Sequence, residues 1–239
     1  MNLEYRHAGE AWKHLTRHLE ELILGQGARR VLEVGGGANP TLPVEFAVRH
    51  GLEYTVLDVS IDELDKAPPG YLKVQADITS PTLKLTGGYD LVFSRMLAEH
   101  VRDGEIFHRN VHALLARRGA AFHFFPTLYA PPFVVNRLLP ERLAEIVLHT
   151  LQPGRVRQGQ HAKFPAYYSW CRGPTPGQIR RFERLGYVVH EYIGFYGHDP
   201  YYSKVRILAK AHRALSNWLV RHPMPWLTSF AYVTLLKRA

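Results

Sequence analysis

Three glycines in a row, Gly35-Gly36-Gly37, follow Glu33 in the run Val31-Leu-Glu-Val-Gly-Gly-Gly-Ala-Asn-Pro40. Glycine lets the backbone turn sharply and lets a ligand come within contact distance of it. Asp58, followed by Val59, stands about 20 residues further on, where a carboxylate can accept both hydroxyls of a ribose. This spacing describes a nucleotide-like ligand held on a glycine loop. Two histidines could add proton chemistry, because imidazole exchanges a proton near neutral pH. His100 follows Glu99, and His123 stands among Phe122, Phe124 and Phe125.

These residues need strands and helices at fixed places. The periodicity predicts an amphipathic helix over about 8–24, with Trp12, Leu15, Leu19, Leu22 and Ile23 inward and Gly25 and Gly27 as the stop. Short strands are predicted at 31–34, 53–59, 71–75, 89–93 and 119–125. Helices are predicted from Pro40 to about His50 and over 103–115, with Ile106, Val111, Leu114 and Leu115 inward. Residues 126–174, rich in proline and aromatics and with a helix near 140–151, read as an insertion after strand five. Thr175-Pro-Gly-Gln178 opens a further helix ended by Gly186, with a capping threonine and proline at its first position. A strand at 187–193, a helix at 203–220 and a strand at 229–236 complete the chain. Alternating strands and helices predict an α/β fold: a Rossmann-like, seven-stranded, mostly parallel sheet with helices on both faces. We expect one domain over 1–239, with 1–28 as a helical cover and 126–174 as a lid.

The segment Glu33-x-Gly35-x-Gly37 resembles the first motif of the class I S-adenosylmethionine-dependent methyltransferases. Asn39 stands where that family often has a third glycine; asparagine tolerates positive φ better than most residues. Three more segments carry the resemblance. Asp58 is similar to the acidic residue that ends the second strand. Gln75-Ala-Asp77-Ile78 is similar to the adenine-binding motif. Tyr89-Asp-Leu-Val-Phe-Ser-Arg-Met-Leu-Ala-Glu-His-Val101 resembles the strand-four motif of the type 11 members. The matches run over about 31–125. The resemblance implies S-adenosylmethionine as cofactor. Glu33 would act on its methionine ammonium, directly or through water, and Gly35, Gly36 and Gly37 would leave room for methionine and ribose. Asp58 and Val59 would hold the ribose. Ala76, Asp77 and Ile78 would hold adenine, and Ser94 and Arg95 would line the crevice. A nicotinamide-dependent dehydrogenase shares the glycine loop and the ribose acid. It leaves Ala76-Asp77-Ile78 unexplained, and no Tyr-x-x-x-Lys pair is evident.

The acceptor side is read from residues beyond the strand ends. Strand carboxyl ends in open α/β sheets face the ligand crevice. Glu99 and His100 lie beyond strand four, and His123 near the end of strand five. For a hydroxyl acceptor, His100 and His123 are the candidate bases, each with a bland alternative: a loop cap for His100, a core histidine for His123. His161-Ala-Lys163-Phe-Pro-Ala-Tyr167-Tyr168 pairs basic groups with aromatics. Tyr192, Phe195, Tyr196, His198, Tyr201 and Tyr202 form a second such group. Lys163, Tyr167, Tyr168, Tyr196 and Glu99 are the substrate-binding candidates, since aromatics with polar tips suit ring-bearing or sugar ligands.

Composition limits the alternatives. Hydrophobic residues make up 46% and charged residues 21%, which suits a globular domain. Cys171 is the one cysteine, so no intrachain disulfide forms; together with the lack of a signal peptide this predicts a cytoplasmic protein. No metal site is expected. The formal charge of +9 admits RNA as a partner. There is no long Lys/Arg block and no zinc-finger spacing, and DNA is not expected. The expected acceptor is a small molecule, a glycan or a lipid-linked compound, methylated at oxygen. Phe-Ser-Arg-Met after strand four, in place of Asn-Pro-Pro-Tyr, argues against methylation of base amino groups. The apolar stretch 215–236 adds a weak membrane-surface contact as an expectation. An RNA or protein methyltransferase, and a non-catalytic cofactor-binding subunit, stand as alternatives.

Overall fold

A computed structural model describes residues 1–128, 165–198 and 206–238. Among these residues lies one sheet of eight strands. β1 is Asn2–His7, β2 Arg30–Val34, β3 Glu53–Asp58 and β4 Leu72–Gln75; β5 is Tyr89–Arg95, β6 Leu115–Pro126, β7 Tyr187–Tyr196 and β8 Phe230–Lys237. The order across the sheet is β1-β7-β8-β6-β5-β2-β3-β4. All neighbours are parallel except β8, which runs antiparallel to both β6 and β7. The central strands are largely apolar on both faces because helices cover both. Val31, Leu32, Leu91, Val92, Phe93, Ala120, Ala121 and Phe122 are all buried.

The expected seven strands are present, and an eighth precedes them. Residues 2–7 form the edge strand β1, in register with β7 from Asn2↔Glu191 to His7↔Tyr196. The 1–28 segment is therefore a strand followed by a helix, not a helical cover alone. Its sequence, Asn-Leu-Glu-Tyr-Arg-His, is polar enough to hide the strand, and charged side chains are what exposed sheet edges carry.

Helix α1 spans Ala8–Gln26 and buries Ala8, Ala11, Leu15, Leu19 and Ile23. Trp12 is instead half outside, its ring edge-on to Phe124, and Ala11 takes the inward position expected of it. Gly25 lies within the helix, and Gly27 ends it in the left-handed conformation. α2 covers only Val44–His50: residues 39–42 stay outside it as irregular chain, and Pro43, in an extended conformation, caps the helix. α3 is Ile61–Lys66, capped by Ser60. α4, Gly104–Leu114, starts from Asp103, whose carboxylate accepts from the Glu105 and Ile106 amides. It buries Phe107 and His108 with Val111 and Leu114, leaving Ile106 half-buried. α5, Pro176–Arg184, has the expected Thr175 cap, and α6 spans Arg206–Arg221. The helix expected near 140–151 lies outside the described residues.

Candidate functional site

β2 has β3 on one side and β5 on the other, so the connections leaving β2 and β5 diverge. That reversal opens a crevice at the carboxyl ends of β2 and β5. The glycine loop, Asp58 and the loop after β5 meet there.

The glycine loop is packed on every side. Gly35 has φ 77° and Gly37 φ 45°, which favour glycine. A methyl group on Gly35 would lie 2.7 Å from Leu97 Cδ1, and one on Gly36 would lie 2.8 Å from Val56 Cγ1. One on Gly37 would lie 3.1 Å from Asp58 Oδ2. Leu97, from the loop after β5, thus meets the loop after β2 directly. Arg95 adds a second link, its guanidinium donating to the Asn39 carbonyl at 3.0 Å.

Glu33 is buried below the loop rather than open to the crevice. Its carboxylate accepts from the Thr41 amide at 2.9 Å, from the Thr41 hydroxyl and from the Tyr54 hydroxyl at 2.5 Å. Burial pushes its pKa up; the Thr41 and Tyr54 hydrogen bonds and the Arg95 charge pull it back only in part. Direct contact of this carboxylate with a methionine ammonium does not fit that burial. Thr41 and Tyr54 were missed in the sequence. Tyr54 faces Val31 across β2 and β3, a pairing that only the register reveals.

Asp58 is half-buried at the end of β3, and its Oδ1 accepts from the Ser60 amide at 3.0 Å. Val59 beside it is exposed, and Gln75 donates to the Val59 carbonyl at 3.2 Å. The Ala76 amide donates to the Asp58 carbonyl at 3.0 Å, which sets the two loops side by side. Asp77 is exposed; its Oδ1 accepts from the Thr79 amide and hydroxyl at 2.8 and 2.7 Å. Ile78 points into the core, with its carbonyl held by Asn110. It does not offer the exposed apolar surface expected for an adenine platform.

The second candidate base does not reach the crevice. His123 is wholly buried, with Nδ1 2.8 Å from Ser94 Oγ. Its ring packs against Phe107 and His108 of α4, at 5.2 and 4.9 Å between centroids. Burial lowers its pKa to about 3, so the ring is neutral. His123 is a core histidine, and Ser94 lines that core rather than the crevice.

His100 is partly exposed, in a short 3-10 turn at Ala98–His100. Its Nδ1 lies 3.0 Å from the Pro165 carbonyl. A carbonyl only accepts, so Nδ1 carries a proton, and in the neutral ring the lone pair is on Nε2. Nε2 is 3.7 Å from Glu99 Oε1, too long for a hydrogen bond. Glu99 is buried and its Oε2 has no hydrogen-bond partner; burial raises its pKa to about 8. At neutral pH this carboxyl is protonated and is not placed to touch an acceptor.

The end of the insertion docks on this turn. The Tyr167 and Tyr168 amides both donate to the Glu99 carbonyl, at 2.7 and 3.0 Å. Tyr167 also lies under the Arg102 guanidinium. Ser169 accepts from the Gly104 amide at the start of α4, and Trp170 covers that end of the helix. Glu99, His100, Tyr167 and Tyr168 are thus brought together. Tyr196 is not among them: it is buried at the end of β7, with β8 and β6 between it and β5, accepts from the Met224 amide at 2.7 Å and stacks on Tyr5. Tyr192 is buried too, bonding to the Arg172 carbonyl. Lys163, Tyr201 and Tyr202 lie outside the described residues. No group of three or more potential metal ligands occurs among the described residues.

No protein-family model and no curated protein matches the chain. Solved structures do. An S-adenosylmethionine-dependent methyltransferase from Mesorhizobium loti is 20% identical, with a TM-score of 0.55 over 95% of this chain and 97% of that one. Phosphoethanolamine N-methyltransferase 2 from Haemonchus contortus, in complex with S-adenosylmethionine, is 13% identical, with a TM-score of 0.55 over 93% of this chain and 53% of that one. The N-methyltransferase NodS from Bradyrhizobium japonicum, in complex with S-adenosylhomocysteine, is 12% identical, with a TM-score of 0.54 over 95% and 87%. These likenesses span the sheet and its helices together. The chain has the fold of the class I S-adenosylmethionine-dependent methyltransferases.

Proposed function

We propose that this chain binds S-adenosylmethionine at the β2/β5 crevice and transfers its methyl group to a small-molecule, glycan or lipid-linked acceptor, at oxygen. The observation that carries the reading is the meeting of Gly37 and Asp58 at the strand-order reversal, where a methyl group on Gly37 would lie 3.1 Å from the carboxylate. Backbone and carboxylate there leave a cradle for a ribose. When bound, the cofactor supplies a sulfonium-activated methyl group, and the protein's task is to align donor and acceptor.

The residues divide that task. Asp58, its Oδ1 tied to Ser60, would accept the ribose hydroxyls through Oδ2. Asp77, oriented by Thr79, would accept from the adenine amino group. Glu33 would act from below, holding Thr41 and Tyr54 so that the loop keeps its shape. His100 would take the acceptor proton through Nε2, its tautomer set by the Pro165 carbonyl. Glu99, through its carbonyl, would hold the Tyr167 and Tyr168 backbone beside His100, and Tyr167 would border the acceptor. Two of the three solved structures named above support this through what they carry: S-adenosylmethionine in one and S-adenosylhomocysteine in the other.

The RNA reading has one observation in its favour. A groove of about 510 Å³ along α5 is lined by Gly177, Glu183 and four arginines, Arg180, Arg181, Arg184 and Arg238. Among the described residues Arg180, Arg184 and Arg238 form no ion pair. Steep salt dependence of RNA binding would support that alternative. The test of the main reading is calorimetry with S-adenosylmethionine, followed by a metabolite screen with methyl-labelled cofactor. Binding of NAD instead would overturn it, and cofactor binding without transfer to any metabolite would favour a non-catalytic subunit.

A further inference from the structure

The apolar stretch 215–236 divides into two unlike parts. β8 is buried between β6 and β7, whereas α6 keeps much of its apolar surface outside. Of the sixteen residues of α6, only Ser216 and Leu219 are buried. Ile207, Leu208, Leu215 and Trp218 are 45–80% exposed, and Trp226, just beyond the helix, is 54% exposed. At about 100° per residue, Ile207, Leu208, Ala211, Leu215 and Trp218 share an arc of about 100°. Leu219 and Ser216 lie beyond one edge of that arc. Lys210, Arg213 and Arg221 lie beyond the other, and the helix carries no acidic residue.

α6 is also fixed at the crevice end of the sheet. Ser216 packs against Gly197, just past β7, and the His198 amide donates to His212 at 2.7 Å. The Met224 amide reaches the Tyr196 hydroxyl at the end of β7. The carboxyl ends of β7, β6, β5 and β2 point the same way. α6 therefore sits toward the crevice end of the sheet.

We infer that this face of α6 is a docking surface for an anionic phospholipid bilayer. The helix lies on the surface and does not cross it, since no helix among the described residues is long and apolar enough to span a membrane. Apolar side chains with tryptophan on one arc and cations at its edge suit the boundary between acyl chains and anionic headgroups. The charge pattern disfavours a second copy of this chain: a two-fold contact would set Lys210 and Arg221 against the same cations. The inference rests on α6 and not on methyl transfer.

The test is co-sedimentation of the full chain with vesicles of phosphatidylcholine alone or mixed with phosphatidylglycerol. Binding to the mixed vesicles should exceed binding to the neutral ones by about tenfold and weaken as salt is raised. Leu215→Asp should lower it by about tenfold, as should the double change Lys210→Glu, Arg221→Glu. Ile207→Asp, at the most exposed position, serves if Leu215→Asp does not fold. S-adenosylmethionine affinity, measured on the same samples, should be unchanged, so that loss of docking and loss of the cofactor reading are separate results. Equal binding of wild type and variants, equal binding to both vesicles, or a wild-type dimer that Leu215→Asp splits would each overturn the inference.

Discussion

Ser94 Oγ and His123 Nδ1 lie 2.8 Å apart across β5 and β6, in a core that solvent does not reach. The sequence points His123 to catalysis and Ser94 to the cofactor crevice, because both stand near the carboxyl ends of strands. Paired residues of neighbouring parallel strands project to the same face, and here that face is covered by α4. Phe107 and His108 close over the ring, so its neutral form is the one the fold accepts.

This sets an acid limit on stability. The native ring titrates near pH 3 and the unfolded one near 6.5. Between these values the unfolded chain binds a proton that the native one refuses, so stability falls as pH drops from 6.5 toward 3. His123→Phe keeps an aromatic ring but leaves Ser94 without its partner. We expect it to cost about 1 kcal/mol at pH 7 and to flatten the acid arm of a Tm-against-pH curve. Turnover per folded molecule should persist; a collapse of kcat with an unaltered fold would restore His123 to the chemistry.

Glu99 acts in the opposite direction. Its carboxyl titrates near 8 in the native state and near 4.5 when unfolded. Through that window the unfolded state gives up a proton that the native state keeps, and stability falls as pH rises. Glu99→Gln should therefore gain on wild type steadily between pH 5 and 8, by up to a few kcal/mol. Parallel curves for the two proteins would show that the carboxyl is not held protonated.

For the cofactor cradle, Asp58→Ala is expected to weaken S-adenosylmethionine binding by about 1–3 kcal/mol, through loss of charge-assisted hydrogen bonds. Calorimetry reads this directly, and the melting temperature should move little because Ser60 is the one partner lost. An unchanged affinity would remove Asp58 from the site.

Glu33→Ala should act on stability first. It leaves the Tyr54 hydroxyl and the Thr41 amide without their acceptor in a buried space. We expect a loss of about 3 kcal/mol in denaturant unfolding, with weaker cofactor binding following from a loosened loop. Tyr54→Phe should reproduce part of the loss. A Glu33→Ala protein of full stability that failed only in binding would return Glu33 to direct ligand contact.

Much of this architecture was legible in the residues. Val31–Val34 and Tyr89–Phe93 are apolar on both faces, the mark of central parallel strands, and the glycines, Thr175 and Gly186 punctuate the chain where turns occur. β1 was not legible, because an edge strand carries few apolar residues and gains its identity only from β7, far along the chain. Trp12 misled for a related reason: helical spacing groups residues on a face, but Ala11 and Trp12 are neighbours and packing decides between them. At the site, position along a strand was readable and direction was not. Glu33, Ser94 and His123 all stand at strand ends, yet each side chain turns inward, and only sheet register and helix placement determine that.

β8 lies between β6 and β7 and follows both of them in the chain. Until residues 230–237 have emerged from the ribosome, β6 and β7 share no neighbour, and the pair β1-β7 stands apart from β6-β5-β2-β3-β4. Synthesis therefore yields two unfinished half-sheets with open edges, joined in one late step. Such edges invite pairing with other chains, which ties the yield of this protein to the speed at which β8 closes the gap.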